Sequence, residues 1–232
     1  MSPEPESAPL RVPPANHVLA LLLGIDFLLA ALYVFSNYLG GISTFDLNAE
    51  NSVSNWFSSV QLILFAALLF TMFRRESARG ETQAARAIGV LSLVFAFFSV
   101  DEVAQIHEKT TTLLRRYEAI PRFRGEHGIW ILIYAVIGLG ILILIGPGLW
   151  RYARRHPANS MRFGAGALIL VAGAVGMEIL FYERIFTGSL EVLVEESMEM
   201  SGVSVMVWAC LRDLESAPVL IGTAPPPSRP AA

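Results

Sequence analysis

The sequence predicts an all-α protein, a membrane-embedded bundle of six transmembrane helices. Its 232 residues are 54% hydrophobic and only 16% charged, whereas a soluble domain has about 45–50% apolar and about 25% charged residues. Six apolar segments each approach the ~20 residues that a helix needs to cross a bilayer. No alternation of apolar and polar residues with the period of a strand competes with them, so we expect helices.

The predicted spans cover roughly residues 18–39, 55–73, 87–107, 129–150, 162–182 and 190–211. The first span is too long for the core of a signal peptide, and no cleavage site of small residues follows it, so we expect a retained helix. The second span is the shortest, but Trp56 and Phe73 bracket it with the aromatic boundaries that are typical of a transmembrane helix.

Short connections predict that sequential helices are antiparallel neighbours. The longer connection, at about residues 109–128, contains Leu113 to Tyr117, which could form a short interfacial helix that Pro121 ends. We expect one transmembrane domain over residues 18–212, preceded by a cytoplasmic tail of residues 1–17 and followed by a disordered tail of residues 213–232.

Basic residues set the predicted orientation, because the cytoplasmic loops of membrane proteins are rich in Lys and Arg. With the N-terminus inside, the inner segments hold 11 of the 17 Lys and Arg residues, which places both termini in the cytoplasm. Trp56 and Trp130 then fall at outer boundaries, and Trp150 and Trp208 fall at inner ones. Since the basic residues are scattered between apolar segments, we expect the lipid bilayer as a partner and no nucleic acid.

Acidic residues concentrate at the predicted outer ends of the spans. Asp101 and Glu102 precede the end of the third span, and His107 and Glu108 lie at its rim. Glu178 lies just inside the end of the fifth span. An ionised Asp or Glu at a helix centre costs on the order of 2.5–3.5 kcal/mol, and less toward the interface. Some of these carboxyls must therefore be protonated, hydrated in a cavity or neutralised by a bound cation.

The sixth span adds Glu191, Glu195, Glu196 and Glu199, which share one helical face. If the span began only after Glu196, the remaining segment 197–211 would extend only ~22 Å, which is too short to cross the bilayer. We therefore expect the last three of these glutamates to lie at least partly within the slab, where they meet the acids of the third span.

A divalent metal site is the first hypothesis for this cluster. Carboxylates together with one imidazole are typical of metal centres in helical bundles, and a set rich in oxygen favours Mn, Fe, Ca or Mg. A bound metal could activate water to hydrolyse a lipid or lipid-linked substrate, with Asp101 or Glu195 as general base and with Glu178 and Glu50 supporting the ligands. The candidate ligands are Glu102, His107, Glu108, Glu196 and Glu199.

Two other functions remain open at the level of sequence. A proton- or cation-coupled transporter would use Asp26 and Gln61, which lie in the slab below the acidic cluster. A structural or partner-binding protein would use the same acids as a buried polar network. The small residues that would then allow close helix packing are Gly138, Gly140, Gly173, Gly176 and Gly202.

Three short motifs resemble a group of uncharacterised multipass membrane proteins found in bacteria. The motifs are Phe45-Asp-Leu followed by Glu50 and Trp56-Phe-Ser-Ser59, then Ser99-Val-Asp-Glu with His107-Glu108, then Glu195-Glu196-x-x-Glu199-x-x-Gly202. The resemblance covers about residues 42–212. It implies a polytopic protein of the bacterial inner membrane and implies no particular activity.

Overall fold

The computed structural model describes residues 13–47, 49, 51–117, 119–120, 128–185 and 187–216, and the secondary structure of these residues is helical throughout. A short 3-10 turn at Ser43–Phe45 lies between the first two helices. The helices are α1 (Ala15–Tyr38), α2 (Val53–Ala78), α3 (Thr82–Ala104), α4 (Ile106–Leu114), α5 (Ile129–Arg155), α6 (Pro157–Tyr182) and α7 (Ser189–Ser216).

Five of the described helices are long and apolar enough to cross a membrane, namely α1, α2, α3, α5 and α6. Each of them contains one of the predicted spans or most of it, and each extends beyond the prediction at one end or both. The predicted sixth span lies inside α7, which has 28 residues but carries too many acidic residues to join this set by composition.

Helix α7 forms the centre of the bundle, where it packs against α1, α2 and α6. Its C-terminal half is buried on most sides, and Val203, Met206, Val207 and Cys210 belong to the main hydrophobic core. Three of the five apolar helices therefore pack on a helix that is more polar than any of them.

Glycines allow a close contact between α6 and α7. A Cβ atom on Gly202 would lie 2.6 Å from the backbone nitrogen of Leu170, and one on Gly166 would lie 2.7 Å from the carbonyl oxygen of Gly202. A Cβ atom on Gly173 would lie 3.0 Å from the carbonyl oxygen of Glu195 in α7. The expected packing role thus fits Gly173 and Gly202. Gly138, Gly140 and Gly176 show no such contact, since none of the described atoms lies within 4 Å of a Cβ built on them.

Buried ion pairs join four helices at one end of the bundle. We name this end, which contains the α2–α3 and α5–α6 connections, the arginine end. Arg75 pairs with the carboxylate of Asp213, and its Nη1 also donates to the Asp213 carbonyl oxygen at 2.9 Å. Arg155 reaches Glu76 at 3.0 Å, and His156 lies 3.4 Å from Asp213. Because Glu76 and Asp213 are almost fully buried, these contacts fix how α2, α5, α6 and α7 meet.

A backbone break separates α3 from α4 at the opposite end, which we name the acidic end and define by the α3–α4 segment and the α6–α7 connection. Gln105 adopts the left-handed conformation with φ 55° and ψ 41°, so the predicted third span stops at Ala104 and does not continue to His107. Helix α4 contains Leu113, as expected for a short helix in this connection, whereas Pro121 lies outside the described residues.

Candidate functional site

The acidic end contains a cavity of about 520 Å³ between α2, α3, α4, α5, α6 and α7. All eight predicted site residues that the structure describes line this cavity. They are Asp101, Glu102, His107, Glu108, Glu178, Glu195, Glu196 and Glu199. The ninth, Glu50, lies outside the described residues.

Apolar side chains form the other walls of the cavity. Helix α6 contributes four of these residues, and α2, α3 and α5 contribute further aliphatic and aromatic side chains. Trp130 and Tyr134 of α5 also line the cavity, and the ring of Trp130 contacts the ring of His107 at 5.3 Å between centroids. The cavity is therefore amphipathic, since carboxylates from α3, α4, α6 and α7 share it with apolar side chains. The α6 residues are Leu170, Val171, Ala174 and Val175.

Three glutamates of α6 and α7 converge more closely than any other acidic group in the described part of the chain. Glu178, Glu191 and Glu195 each present one carboxylate oxygen, and these oxygens all lie within 4.8 Å of one another. Glu191 is almost fully buried, and the hydroxyl of Tyr182 donates a hydrogen bond to Glu178. Three carboxylates at this distance cannot all be ionised unless a cation or added protons compensate them.

Local helix geometry explains this convergence. Glu191 and Glu195 are four residues apart, so both project from one face of α7. In α6 a π-helical turn at Ala172–Met177 directly precedes Glu178 and changes the direction in which this side chain projects. Because Gly173 in that turn has no side chain, α6 can lie close to α7. A Cβ atom on Gly173 would be 3.0 Å from the carbonyl oxygen of Glu195.

Asp101 and His107 form a hydrogen-bonded pair on the α3 side of the cavity. The backbone nitrogen of His107 donates to Asp101 Oδ1 at 2.9 Å, and His107 Nδ1 lies 3.2 Å from Asp101 Oδ2. The break at Gln105 makes this possible, because it turns the start of α4 back over the last turn of α3. Burial alone would lower the pKa of His107, but the hydrogen bond and the negative charge of Asp101 outweigh it and raise that pKa above its ordinary value of 6.5.

Glu102 is connected to α2 through Asn55. The side-chain amide of Asn55 donates to the Glu102 carbonyl oxygen at 3.1 Å and to Glu102 Oε1 at 3.4 Å. One turn deeper, Ser59 and Ser99 exchange hydrogen bonds between α2 and α3 at 2.8 and 2.9 Å. These contacts hold α3 against α2 and fix the position of the Asp101–Glu102 pair.

The predicted metal ligands share the cavity but do not form the tightest group. Among the described residues, the set of three close carboxylates contains Glu195 and Glu178, to which the sequence assigned catalytic and supporting roles. It also contains Glu191, to which we assigned no role from the sequence. The signal for Glu191 was its four-residue spacing from Glu195, because that spacing places both carboxylates on one helical face.

A second polar group lies deeper in the bundle, between α1, α2 and α7. The amide nitrogen of Gln61 donates to Asp26 Oδ1 at 3.0 Å and to Ser204 Oγ at 2.9 Å, and Ser204 Oγ donates to Asp26 Oδ2 at 2.9 Å. All three side chains are buried. Ser204 follows Glu199 of the cavity by five residues, which corresponds to about 7.5 Å along the helix axis.

No curated protein and no solved structure is significantly similar to the chain. One family model matches residues 17–214, which include every described helix except the ends of α1 and α7. Its description is a domain of unknown function, DUF8692. The matched region contains the cavity and the deeper polar group, so both are features of a domain that covers most of the sequence. The chain belongs to the DUF8692 family.

Proposed function

We propose that this chain is an integral membrane protein that binds a divalent cation at the acidic wall of the cavity, between two lining glutamates and the buried Glu191. The observation that carries this proposal is the set of Glu178, Glu191 and Glu195, whose oxygens lie within 4.8 Å of one another. A divalent cation at the centre of this set would replace the repulsion between three carboxylates with attraction.

Membrane embedding rests on the five apolar helices, and α7 completes the bundle as a sixth span. Its 28 residues extend ~42 Å, enough to cross the ~30 Å hydrocarbon core. Its polar residues need no contact with lipid, because α1, α2 and α6 pack around it. Six spans place both termini on one side of the membrane. The distribution of Arg favours the cytoplasmic side of a bacterial inner membrane.

The donor set indicates which cations fit. Carboxylate oxygens are hard ligands, which suit Mn, Fe, Ca and Mg better than soft metals. The described residues that line the cavity include seven carboxylates and one imidazole and no Lys or Arg. The described part of the chain thus supplies little positive charge at this site, and an external cation is the simplest source of it.

Thermal unfolding of the detergent-solubilised protein tests the cation site. After chelator treatment, addition of Mn²⁺ or Ca²⁺ at about 100 times its Kd should stabilise the fold by about 2.7 kcal/mol, since a ligand that binds only the folded state raises stability. For a chain of this size, we expect a rise in Tm of about 5–10 °C.

Adjacent glutamates supply a matched pair of variants. Glu195→Gln removes one member of the close set and should abolish the metal-dependent rise in Tm, whereas Glu196→Gln changes a cavity residue outside the set and should preserve it. The proposal is wrong if no divalent cation raises the Tm of the unmodified protein, or if both variants keep the full rise.

Metal-dependent hydrolysis of a lipid is the second candidate, and the Asp101–His107 pair favours it. A carboxylate at hydrogen-bond distance orients a neutral imidazole to take a proton from water, so His107 in its neutral form is a candidate general base beside Asp101 and Glu195. A His107→Gln variant that still binds Mn²⁺ should then release no fatty acid from a lipid ester. Equal release by the variant and the unmodified protein would exclude this role.

Cation-coupled transport would need a route from the cavity to the arginine end, and the Asp26–Gln61–Ser204 group is the described feature that favours it. Asp26→Asn keeps the size of the side chain and removes its charge. A site confined to the cavity predicts that this variant binds Mn²⁺ as the unmodified protein does, whereas transport through the bundle would be lost.

A further inference from the structure

We propose that the cavity receives an amphiphile with a protonated amine in its head group, whose hydrocarbon chain enters from the bilayer between α5 and α6. This proposal goes beyond the cation site and does not require a metal, because it rests on the shape of the cavity, on the exposure of its apolar wall and on the net charge of its lining.

Lining residues of the cavity are exposed at two places, one at the acidic end and one farther along α5 and α6. Glu108 is an exposed lining residue at the rim of the acidic end. Ala135 of α5 and Val171 of α6 also line the cavity and are also exposed, and Val171 is 55% exposed. These two residues lie about 9 and 16 Å below the outer ends of their helices, counted at 1.5 Å per residue. Both therefore lie at the depth of the hydrocarbon core.

The gap between α5 and α6 exists because each of these helices packs closely on a different partner. Gly148 places α5 against α3, where its Cβ position lies 2.4 Å from the carbonyl oxygen of Gln83. Gly166 places α6 against α7, where its Cβ position lies 2.7 Å from the carbonyl oxygen of Gly202. The two helices meet at the arginine end through the short connection at His156 and have little contact elsewhere. A hydrocarbon chain can therefore enter between them without displacing a packed helix.

The size and lining of the cavity suit an amphiphilic ligand. Small-molecule sites measure about 300–1,000 Å³ and combine apolar walls with a few polar groups, and this cavity has a volume of about 520 Å³. Leu170, Val171, Ala174 and Val175 would contact the hydrocarbon chain, and the carboxylates would contact the head group. A wholly polar ligand would leave this apolar wall in contact with water.

Charge complementarity selects the head group. Seven carboxylates face one imidazole, with no Lys or Arg among the described lining residues, so an ammonium is attracted where a phosphate is repelled. The rings of Trp130 and Tyr134, which also line the cavity, offer an ammonium a further favourable contact through cation–π attraction.

Photolabelling with three probes that share one diazirine-bearing alkyl chain tests the proposal on the full-length protein in a nonionic detergent. The head groups are an ammonium, a hydroxyl and a phosphate. We expect the ammonium probe to label α5 and α6 near Ala135 and Val171 at a concentration about tenfold lower than the hydroxyl probe needs, which corresponds to one favourable charge contact. Peptide mass spectrometry locates the labelled residues.

Two matched pairs of variants separate entry through the gap from nonspecific labelling. Val171→Trp fills the gap and should abolish labelling by the ammonium probe, whereas Leu168→Trp, on the same helix and 71% exposed but outside the cavity lining, should not. Glu199→Gln should reduce the preference for the ammonium probe, whereas Glu81→Gln at the arginine end should leave it unchanged. The Tm of each variant shows that it folds.

Equal labelling by the three probes, preference for the phosphate probe, or unchanged labelling of Val171→Trp would each overturn the proposal. The outcome is independent of the cation site. If the ammonium probe labels the gap while no divalent cation raises the Tm, the cation site is wrong and the amphiphile site stands. The reverse result rejects the amphiphile site alone.

Discussion

Asp101 accepts two hydrogen bonds from the segment that follows α3, one from the backbone nitrogen of His107 and one from its imidazole. The carboxylate thus caps the first turn of α4 and also stabilises a positive charge on the ring of His107. A single acidic side chain thereby links the break at Gln105 to the electrostatics of the cavity.

The raised pKa of His107 predicts a pH-dependent contribution to stability. Because the folded-state pKa is above the ordinary value of 6.5, the contribution of the charged imidazole is fully present below about pH 6.5 and is lost as the pH rises through the folded-state value. If the Asp101–His107 pair contributes about 1 kcal/mol, the Tm of the His107→Gln variant should be about 2–4 °C lower than that of the unmodified protein at about pH 6. This difference should shrink toward about pH 9.

Thermal unfolding across this range of pH measures the difference directly. The comparison of the two proteins at each pH removes the contributions of other titrating groups, which the variant shares. Parallel Tm curves for the two proteins would show that the imidazole carries no extra charge in the folded state.

At the level of single residues, the sequence identified the members of the site but not their pairing. Charged residues in apolar segments are conspicuous, because an ionised group in the slab is costly. The predicted depth of Asp101, Glu178 and Glu195 in their spans was enough to place all three at one end of the bundle. Which carboxylates meet depends on the π-helical turn of α6 and on the left-handed residue Gln105. Neither feature has a pattern in the sequence, since a π-helical turn leaves the composition of a helix unchanged.

Among the helices, α6 and α7 pack so closely that their contact tolerates little change. A methyl group on Gly202 would overlap the backbone of Leu170, and backbone atoms cannot move aside as the end of a flexible side chain can. Because the same two helices carry Glu178, Glu191 and Glu195, their separation also sets the spacing of the close carboxylates.

Gly202→Ala should therefore destabilise the protein by about 1–3 kcal/mol, the usual cost of overpacking. Gly138→Ala is the matched control, because none of the described atoms lies within 4 Å of its Cβ position and alanine favours a helix over glycine by about 1 kcal/mol. Thermal unfolding should show a lower Tm for the first variant and an equal or higher Tm for the second. A tolerated Gly202→Ala would mean that α6 and α7 can separate without loss of stability.

The boundaries of helices were easier to predict than their interruptions. Apolar length fixed the cores of α1, α2, α5 and α6 closely, because the thickness of the bilayer imposes it. The observed helices extend into polar residues at their ends, such as Arg75 to Ala78 of α2, where ion pairs rather than hydropathy continue the helix. The sequence did not predict the end of α3 at Ala104, because residues that favour a helix continue beyond it.

For the molecule as a whole, the proposed topology depends on whether α7 crosses the membrane. Its N-terminal end lies at the acidic end, and its C-terminal end lies at the arginine end, where the backbone nitrogen of Ala15 donates to Glu215. Six spans therefore predict that Ser216 shares a side with the α2–α3 connection, whereas Asn51 faces the opposite side.

Cysteine labelling of intact cells with a membrane-impermeant maleimide tests this arrangement. The native Cys210 is fully buried and should give a low background. Asn51→Cys should react from outside, whereas Ser77→Cys and Ser216→Cys should react only after the membrane is opened. Reaction of Ser216→Cys in intact cells together with protection of Ser77→Cys would show that α7 does not cross.

The structure also has consequences for how the protein is made. Helix α7 is translated after the other described helices, and its glutamates make it the least able of the long helices to partition into lipid by itself. The five apolar helices can insert one by one as they leave the ribosome, but they enclose an incomplete core until α7 joins them. Closure of the core should therefore follow insertion of the other helices, at the last stage of biogenesis. A chain that stalls before α7 would expose Gln61 and Asp26 to lipid, which would mark it for membrane-protein quality control.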